Sequence, residues 1–373
     1  MTDPGAQAVG TIAQRRLRAQ HLVGEPLASG ADVVRHMVAV QSQDYIGAKW
    51  ALAQRMASTT DAELDAAFDA GAFLRIHVLR PTWHFVAPED LRWLTKLTGP
   101  RVHQASAFQY RSLGIDDALA RRAADVFERV LAGGRAMTRA ELGEELRAAG
   151  FDATGLRLTY LVSRAEVEAI LCSGRRQAGR QTYALVDERV PPTRDRTRDE
   201  ALAELAGRYI AGHGPAQAID LAWWSGLTLA EARRGLEAAS PALDLEPIDG
   251  RTFWVAPGST TGPAPAHAAD RIAGRTVNLL PNYDELLVAF RDRADGLDPR
   301  LPAPARVAQE ILDHVIVRDG LVVGRWRRPP PSGREVRLDP LVSLGSTEGR
   351  LLAGAVERYR AFLGRPIGVS APD

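Results

Sequence analysis

The residues best placed to do chemistry are Gln41-Ser42-Gln43-Asp44, which stand where an apolar helical pattern (Val33, Val34, Met37, Val38, Val40) ends and Tyr45-Ile46-Gly47 begins. In an extended backbone residues two apart point the same way, so Gln41 and Gln43 would present two carboxamides to one small space. A carboxamide can hold a water molecule but barely changes its acidity, so such a pair needs a leaving group that is already activated. Asp44 is either a general base, worth roughly 10²–10⁴ in rate, or a cap or turn residue for the helix that follows. The second candidate segment is His77–Phe85, HVLRPTWHF. There Thr82 and His84 alternate on one face of a strand, with Trp83 and Phe85 on the core face. His84 is either a hydrogen-bonded structural residue or a contact to substrate.

The familiar signatures are missing. The sequence has no Gly-x-x-x-x-Gly-Lys loop, no His-Glu-x-x-His pair, no Cys-x-x-Cys and no Gly-x-Ser-x-Gly elbow. This argues against a nucleotide-driven, metal or thiol enzyme, and no cofactor or metal is expected. Cys172 is the single cysteine, which excludes an internal disulfide and fits a reducing, cytoplasmic setting. No apolar run approaches the ~18 residues of a membrane span, and the N-terminus lacks a secretory pattern. A net charge of +1 means that any anion-binding face is local. Of 47 basic residues only Lys49 and Lys96 are lysines. The arginines offer forked donors suited to phosphate, whereas a Schiff-base lyase would have only those two lysines or the N-terminal amine.

These residues need elements to hold them, and one local grammar recurs three times: helices, then two short strands around a turn. In the first copy, helical patterns at 31–43, 47–56 and 61–70 precede strands Phe73–Val78 and Thr82–Val86 joined at Arg80-Pro81. The second opens at the capping box Thr138-x-x-Glu141, continues in a helix near 159–171, and ends in strands near 175–178 and 181–186. The third carries boxes at Thr197-x-x-Glu200 and Thr228-x-x-Glu231 and strands 243–247 and 252–256 about Asp249-Gly250. Helices followed by a hairpin are the winged helix-turn-helix pattern, in which a helix enters a DNA groove. Between the first two copies, 88–133 reads as helices opened by Pro88 and broken near Leu113-Gly114. The expected fold is α+β, mainly α, with three tandem winged helix-turn-helix modules at 1–134 (bridging helices included), 135–192 and 193–257, and a C-terminal β-rich domain at 258–373. A linker is expected at 257–267. The last domain holds a strand at 275–280, the turn Pro281–Glu285, a hairpin at Asp319-Gly320 and a helix near 346–363. Its run Arg325-Trp326-Arg327-Arg328 is the densest positive segment; alternating arginines there bind phosphate or block edge pairing.

Over nearly its full length the chain resembles the winged-helix DNA glycosylases of the AlkZ/YcaQ type, which remove bulky N-alkylated purines and unhook interstrand crosslinks. The resemblance rests on Gln41-x-Gln43, Leu79-Arg80-Pro81-Thr82-Trp83-His84, Gly214-Pro215-Ala216, Ala222-Trp223-Trp224-Ser225-Gly226-Leu227, Leu279–Glu285, and Asp319-Gly320 leading to Gly324-x-Trp326. In the AlkZ branch the residue between the glutamines is usually apolar, and here it is Ser42; in the other branch the second glutamine is Asp. The resemblance implies a monofunctional glycosylase with catalytic Gln41 and Gln43, Asp44 beside them as the alternative base, and a C-shaped cleft around duplex DNA bearing alkylated purines. Tyr45, Lys49, Arg80, Thr82, His84, Asn282, Tyr283, Arg325 and Arg327 are the expected DNA contacts, with Trp223 and Trp224 expected to pack, and the chain is expected to be a monomer. The competing function is a non-catalytic winged-helix DNA-binding protein or transcription regulator in which the glutamines read a groove, since glutamine can pair with adenine there.

Overall fold

The computed structural model describes residues 11–258, 275–302, 313–330 and 333–370. Among the described residues helices dominate and the strands form four small sheets, an α+β architecture that is mainly α. After α1 (Ile12–Ala19) and α2 (Gly30–Met37) the chain enters β1 (Ala39–Gln41), then α3 (Tyr45–Ala53), α4 (Asp61–Ala70) and the hairpin β2 (Leu74–His77) and β3 (Trp83–Val86). The sheet order is β1-β3-β2, with Gln41 opposite His84. The 25-residue α5 (Pro88–Ser112) starts with Pro88 in its first turn and leads to the second unit.

That unit repeats the order: α6 (Asp117–Leu131), β4 (Met137–Thr138), α7 (Arg139–Ala148), α8 (Gly155–Val167), β5 (Leu171–Ser173) and β6 (Thr182–Leu185), in a sheet β4-β6-β5. A short α9 (Val186–Arg189) follows. The third unit has α10 (Arg198–His213), α11 (Ala218–Ser225), α12 (Leu229–Ala239) and the hairpin β7 (Asp244–Ile248) and β8 (Arg251–Val255). Its outer strand is reduced to Ala216, which bridges to Trp254 of β8. In every unit the segment before the two inner helices therefore pairs with the last strand of the hairpin. Thr138, Thr197 and Thr228 close the capping boxes that their spacing predicts, and Thr60 closes a further one at α4.

The first unit departs from its helical pattern at the point that matters for function. The helix expected over 31–43 stops at Met37, because Val38 takes a φ of 66° and residues 39–41 leave to pair with β3. A β-branched residue in that region is strained by about 1–3 kcal/mol, tolerated here because Val38 is fully buried. In the second unit the helix expected near 159–171 ends at Val167, so the strand forms at Leu171–Ser173. Residues 175–178 contribute only the Gln177–Arg180 bridge.

The C-terminal part comprises β9 (Val277–Leu280), α13 (Glu285–Val288), β10 (Val315–Arg318), β11 (Leu321–Arg327), β12 (Glu335–Pro340), α14 (Ser346–Leu363) and β13 (Gly368–Ser370). Its sheet runs β13-β12-β11-β10-β9. The Asp319-Gly320 turn and the last helix fall where the sequence puts them, whereas the linker expected at 257–267 lies, from residue 259 on, outside the described residues. One core joins this sheet to the first unit, with Leu52, Phe68, Leu279, Val323, Trp326 and Phe362 in common. A second core joins the other face of the first sheet to the third unit through Ile76, Leu94, Tyr209 and Trp224. β1 lies between them: Val40 belongs to the first core and Ala39 to the second.

Candidate active site

Gln41 is the last residue of a strand covered on both faces, and two buried groups fix it. Its backbone N–H donates to Glu285 Oε1 at 2.7 Å. The other oxygen of Glu285 accepts the Trp224 indole N–H at 2.9 Å, and His213 Nε2 lies 3.5 Å from it. Glu285, His213 and Trp224 are fully buried. The Gln41 side chain is held in turn by Arg80, whose Nη2 donates to Oε1 at 2.9 Å. A guanidinium only donates, so the carboxamide is oriented with its carbonyl on Arg80, and its Nε2 end has no protein partner among the described residues.

Gln43 is exposed, and its Oε1 accepts the backbone N–H of Trp83 at 3.4 Å. Both carboxamides thus reach the one turn between β2 and β3. The backbone between them is clamped by Arg75, a buried residue whose Nε and Nη2 donate to the Ser42 carbonyl at 3.0 and 2.8 Å, with Nη2 also 3.3 Å from the Gln43 carbonyl. Arg75 stacks on Trp83, 4.3 Å from the ring centre. Burial pushes its guanidinium pKa down. The turn itself is tight. Leu79 has a φ of 64° and its carbonyl is approached by Gly226, where a Cβ would stand 2.3 Å from that oxygen. Gly226 also ends α11 in the left-handed region, so only glycine serves both ends of this contact.

Asp44 opens α3 without a side-chain cap bond. Its carboxylate faces Arg328 Nη1 at 3.0 and 2.9 Å, tying the turn to the C-terminal sheet across 284 positions of sequence. Asn282 comes to the same spot: a Cβ on Gly47 would lie 2.8 Å from Asn282 Oδ1 and 2.9 Å from Asp44 Oδ2. Tyr283, with a φ of 59°, is half-buried in the neighbouring turn. Arg325 and Arg327 line, with Asp313, Trp326, Arg337 and Asp339, a surface cavity of about 340 Å³. Arg325 pairs with Asp339 at 3.2 Å and Arg327 is exposed.

The structure therefore brings Gln41, Gln43, Arg80 and Thr82 to one turn, and sets Asp44 and Asn282 beside it. It turns three expected DNA contacts inward. The Tyr45 hydroxyl donates to Asp65 at 3.0 Å while its ring packs edge-on to Phe68 and Phe85. Lys49 is 2% exposed between the carboxylates of Asp61 and Asp65, which also removes it as an open Schiff-base amine. His84 is fully buried, Nδ1 on the Thr82 carbonyl, and burial holds its imidazole down at about 3. Of the two readings of His84, the geometry is that of the structural residue.

Residues 34–362 match the family described as DNA glycosylase AlkZ-like. The chain belongs to the AlkZ-like DNA glycosylase family. No curated protein matches it in sequence. In fold it is similar to the Streptomyces sahachiroi DNA glycosylase AlkZ, at a TM-score of 0.77 and 19% identity over 97% of this chain and 98% of that one.

For a member of the AlkZ-like family the sequence left three parts of this neighbourhood unread. Glu285 looks like the first residue of an apolar helix, and only the partners arriving from β1 and α11 reveal an anchor. Arg75 carried a signal, because a lone charge inside the apolar strand Leu74-Arg75-Ile76-His77 must find a partner. Trp223 was expected to pack with Trp224, yet it is 36% exposed while Trp224 is buried. Among the described residues no group of three His, Cys, Asp or Glu is placed to hold a metal ion, and no helix is long and apolar enough to cross a membrane.

Proposed function

We propose that the chain hydrolyses the N-glycosidic bond of N7- or N3-alkylated purines in double-stranded DNA, as a monofunctional and monomeric enzyme of the cytoplasm and nucleoid. The observation that carries this is the convergence of two carboxamides, Gln41 and Gln43, on one turn whose backbone and side chains are fixed by Arg75, Arg80 and Glu285. Alkylation at N7 or N3 leaves the purine positively charged, so it departs with the bonding pair and needs no strong acid. Water placement is what remains. A carbonyl has a second lone pair, so Gln43 accepts a hydrogen bond from the water while the Gln41 amide N–H steadies its oxygen. The water's free lone pair then attacks C1′, and its proton leaves to solvent. The contribution is positional and electrostatic. Asp44, paired with Arg328, ties the turn in place instead of taking the proton.

The thrice-repeated order of helix, strand, two helices and hairpin supports three winged-helix modules at 1–134, 135–192 and 193–257, followed by the β-rich domain at 258–373. Arg80, Thr82, Asn282, Tyr283, Arg325 and Arg327 supply contacts to the duplex. A regulator that reads a groove through its glutamines is disfavoured, because Gln41 is 7% exposed and its carbonyl is taken, whereas pairing with adenine needs both ends of the amide. The test is incubation with a duplex containing 7-methylguanine, and separately with one crosslinked by a nitrogen mustard, followed by alkaline cleavage at abasic sites. Base release is expected from the first. A protein that binds this duplex yet releases no base overturns the proposal, and the crosslinked duplex decides the breadth of substrate.

A further inference from the structure

α11 shows two apolar residues to solvent one turn apart, Ile219 at 42% and Trp223 at 36% exposure. Three guanidiniums surround the exposed indole: Arg80, Arg291 and Arg293, with their carbons 5.9, 5.2 and 5.6 Å from the ring centre. They arrive from two places, the β2–β3 turn and the loop after α13. Elsewhere in the protein clustered arginines meet carboxylates, as Arg55 meets Asp284 and Arg176 meets Asp65 and Asp69. Here they do not. Arg80 donates to the neutral Gln41 amide, Arg293 Nε to the Leu287 carbonyl at 3.0 Å, and no carboxylate pairs with any of the three among the described residues. Arg80 Nε is buried with no hydrogen-bond partner among the described residues. Burial lowers the pKa of Arg80 and Arg293, and each also feels a neighbouring cation, offset in part by the nearby carboxylates of Glu285 for Arg80 and Asp292 for Arg293. The indole itself is held by its N–H, which donates to the Val288 carbonyl at 3.2 Å. Three like charges held together against one half-exposed ring repel one another, and a bound anion would relieve that repulsion.

We propose that Trp223, Arg80, Arg291 and Arg293 form a nucleotide-binding station for the strand that carries the lesion: the guanidiniums take the phosphodiester flanking the target sugar and the indole stacks on a neighbouring base. The proposal rests on the glycosylase function above and gives that site a substrate contact. Indole rings are sequence-tolerant platforms for bases, and guanidinium forks match phosphate oxygens. The station is coupled to the site by a single residue, since Arg80 touches both Gln41 and the cluster, and the Gly226–Leu79 approach sets α11 against the turn. A phosphate seated here stands next to the nucleotide whose C1′ faces the carboxamides.

The test measures affinity for a 7-methylguanine duplex over a range of salt, using wild type, the double variant Arg291→Gln/Arg293→Gln, Trp223→Ala and Trp223→Phe. Arg80 is left intact because it holds Gln41. The double variant is expected to lower the slope of log affinity against log salt by up to about 0.9, the share of one phosphate. Trp223→Ala loses about tenfold in affinity and Trp223→Phe regains most of it. An uncharged methylphosphonate beside the lesion weakens wild-type binding and weakens the double variant much less, Arg80 alone remaining at that phosphate. A double variant with the wild-type salt slope and full sensitivity to the methylphosphonate overturns the station. If wild type binds the duplex without releasing base, the enzymatic proposal falls while these slopes still decide the station. If wild type does not bind the duplex, both fall.

Discussion

Replacing Glu285 by glutamine keeps the shape of a buried side chain and removes one acceptor. The carboxylate accepts the Gln41 backbone N–H at 2.7 Å on one oxygen and the Trp224 indole N–H at 2.9 Å on the other. A carboxamide has one oxygen and one NH2 group. Whichever way it turns, one buried donor faces another, and an unpaired buried donor costs about 1–3 kcal/mol. The surviving bond falls from charge-assisted to neutral, a further loss of about 1 kcal/mol. Arg80 also loses the nearby negative charge that favours its charged form. Glu285→Gln is therefore expected to destabilise the protein by about 2–4 kcal/mol, a large share of the roughly 5–15 kcal/mol of a folded domain. Urea unfolding followed by tryptophan fluorescence reads the stability, and single-turnover base release from a 7-methylguanine duplex reads the site. Release should fall well beyond any loss of DNA affinity, because the amide meant to steady the water is hung from this anchor. An unfolding midpoint equivalent to less than about 0.5 kcal/mol of change, together with wild-type release, refutes the view that Glu285 anchors the strand.

Gln43→Ala should abolish base release and leave duplex affinity within a few-fold, since a side chain that positions water acts mainly in the transition state; parallel losses in both would contradict a catalytic role. Gly226→Ala places a Cβ 2.3 Å from the Leu79 carbonyl at a φ of 71°. A loss of about 1–3 kcal/mol in unfolding free energy and reduced release are expected, and unchanged values in both measurements would contradict this. Acid should destabilise the fold through two imidazoles that burial holds down, the buried His84 at about 3 and the half-buried His36 at about 4 against the ordinary 6.5. Above pH 6.5 neither state binds these protons. Below it the unfolded chain takes them up and the folded one does not, so stability falls with pH through about 4 for His36 and towards about 3 for His84, by up to ~1.4 kcal/mol per pH unit for each. Equilibrium unfolding that is flat between pH 7 and 5 would refute it.

What could be read from the sequence was local. The capping boxes at Thr138, Thr197 and Thr228 close where their spacing says, because the hydrogen bonds that make them span three residues. The Asp319-Gly320 turn and the helix Ser346–Leu363 follow from the same short-range rules. β1 was misread as helix because Val33, Val34, Met37, Val38 and Val40 fit a helical stripe, and its strand exists only by pairing with residues more than forty positions away.

The candidate site divides along the same line. The two-residue spacing of Gln41-Ser42-Gln43 is by itself the ground for expecting a pair of neutral polar groups to be offered together, and for proposing an activated leaving group to suit them. Tertiary structure alone decided their orientation: the partner of Gln41 N–H lies 244 residues away, Arg328 meets Asp44 across 284, and Lys49 and His84 were drawn inside. A side chain's type and spacing fix what it is able to donate or accept, but burial and distant charges fix which of those bonds it makes. Those depend on how the units dock, which no short stretch of sequence encodes.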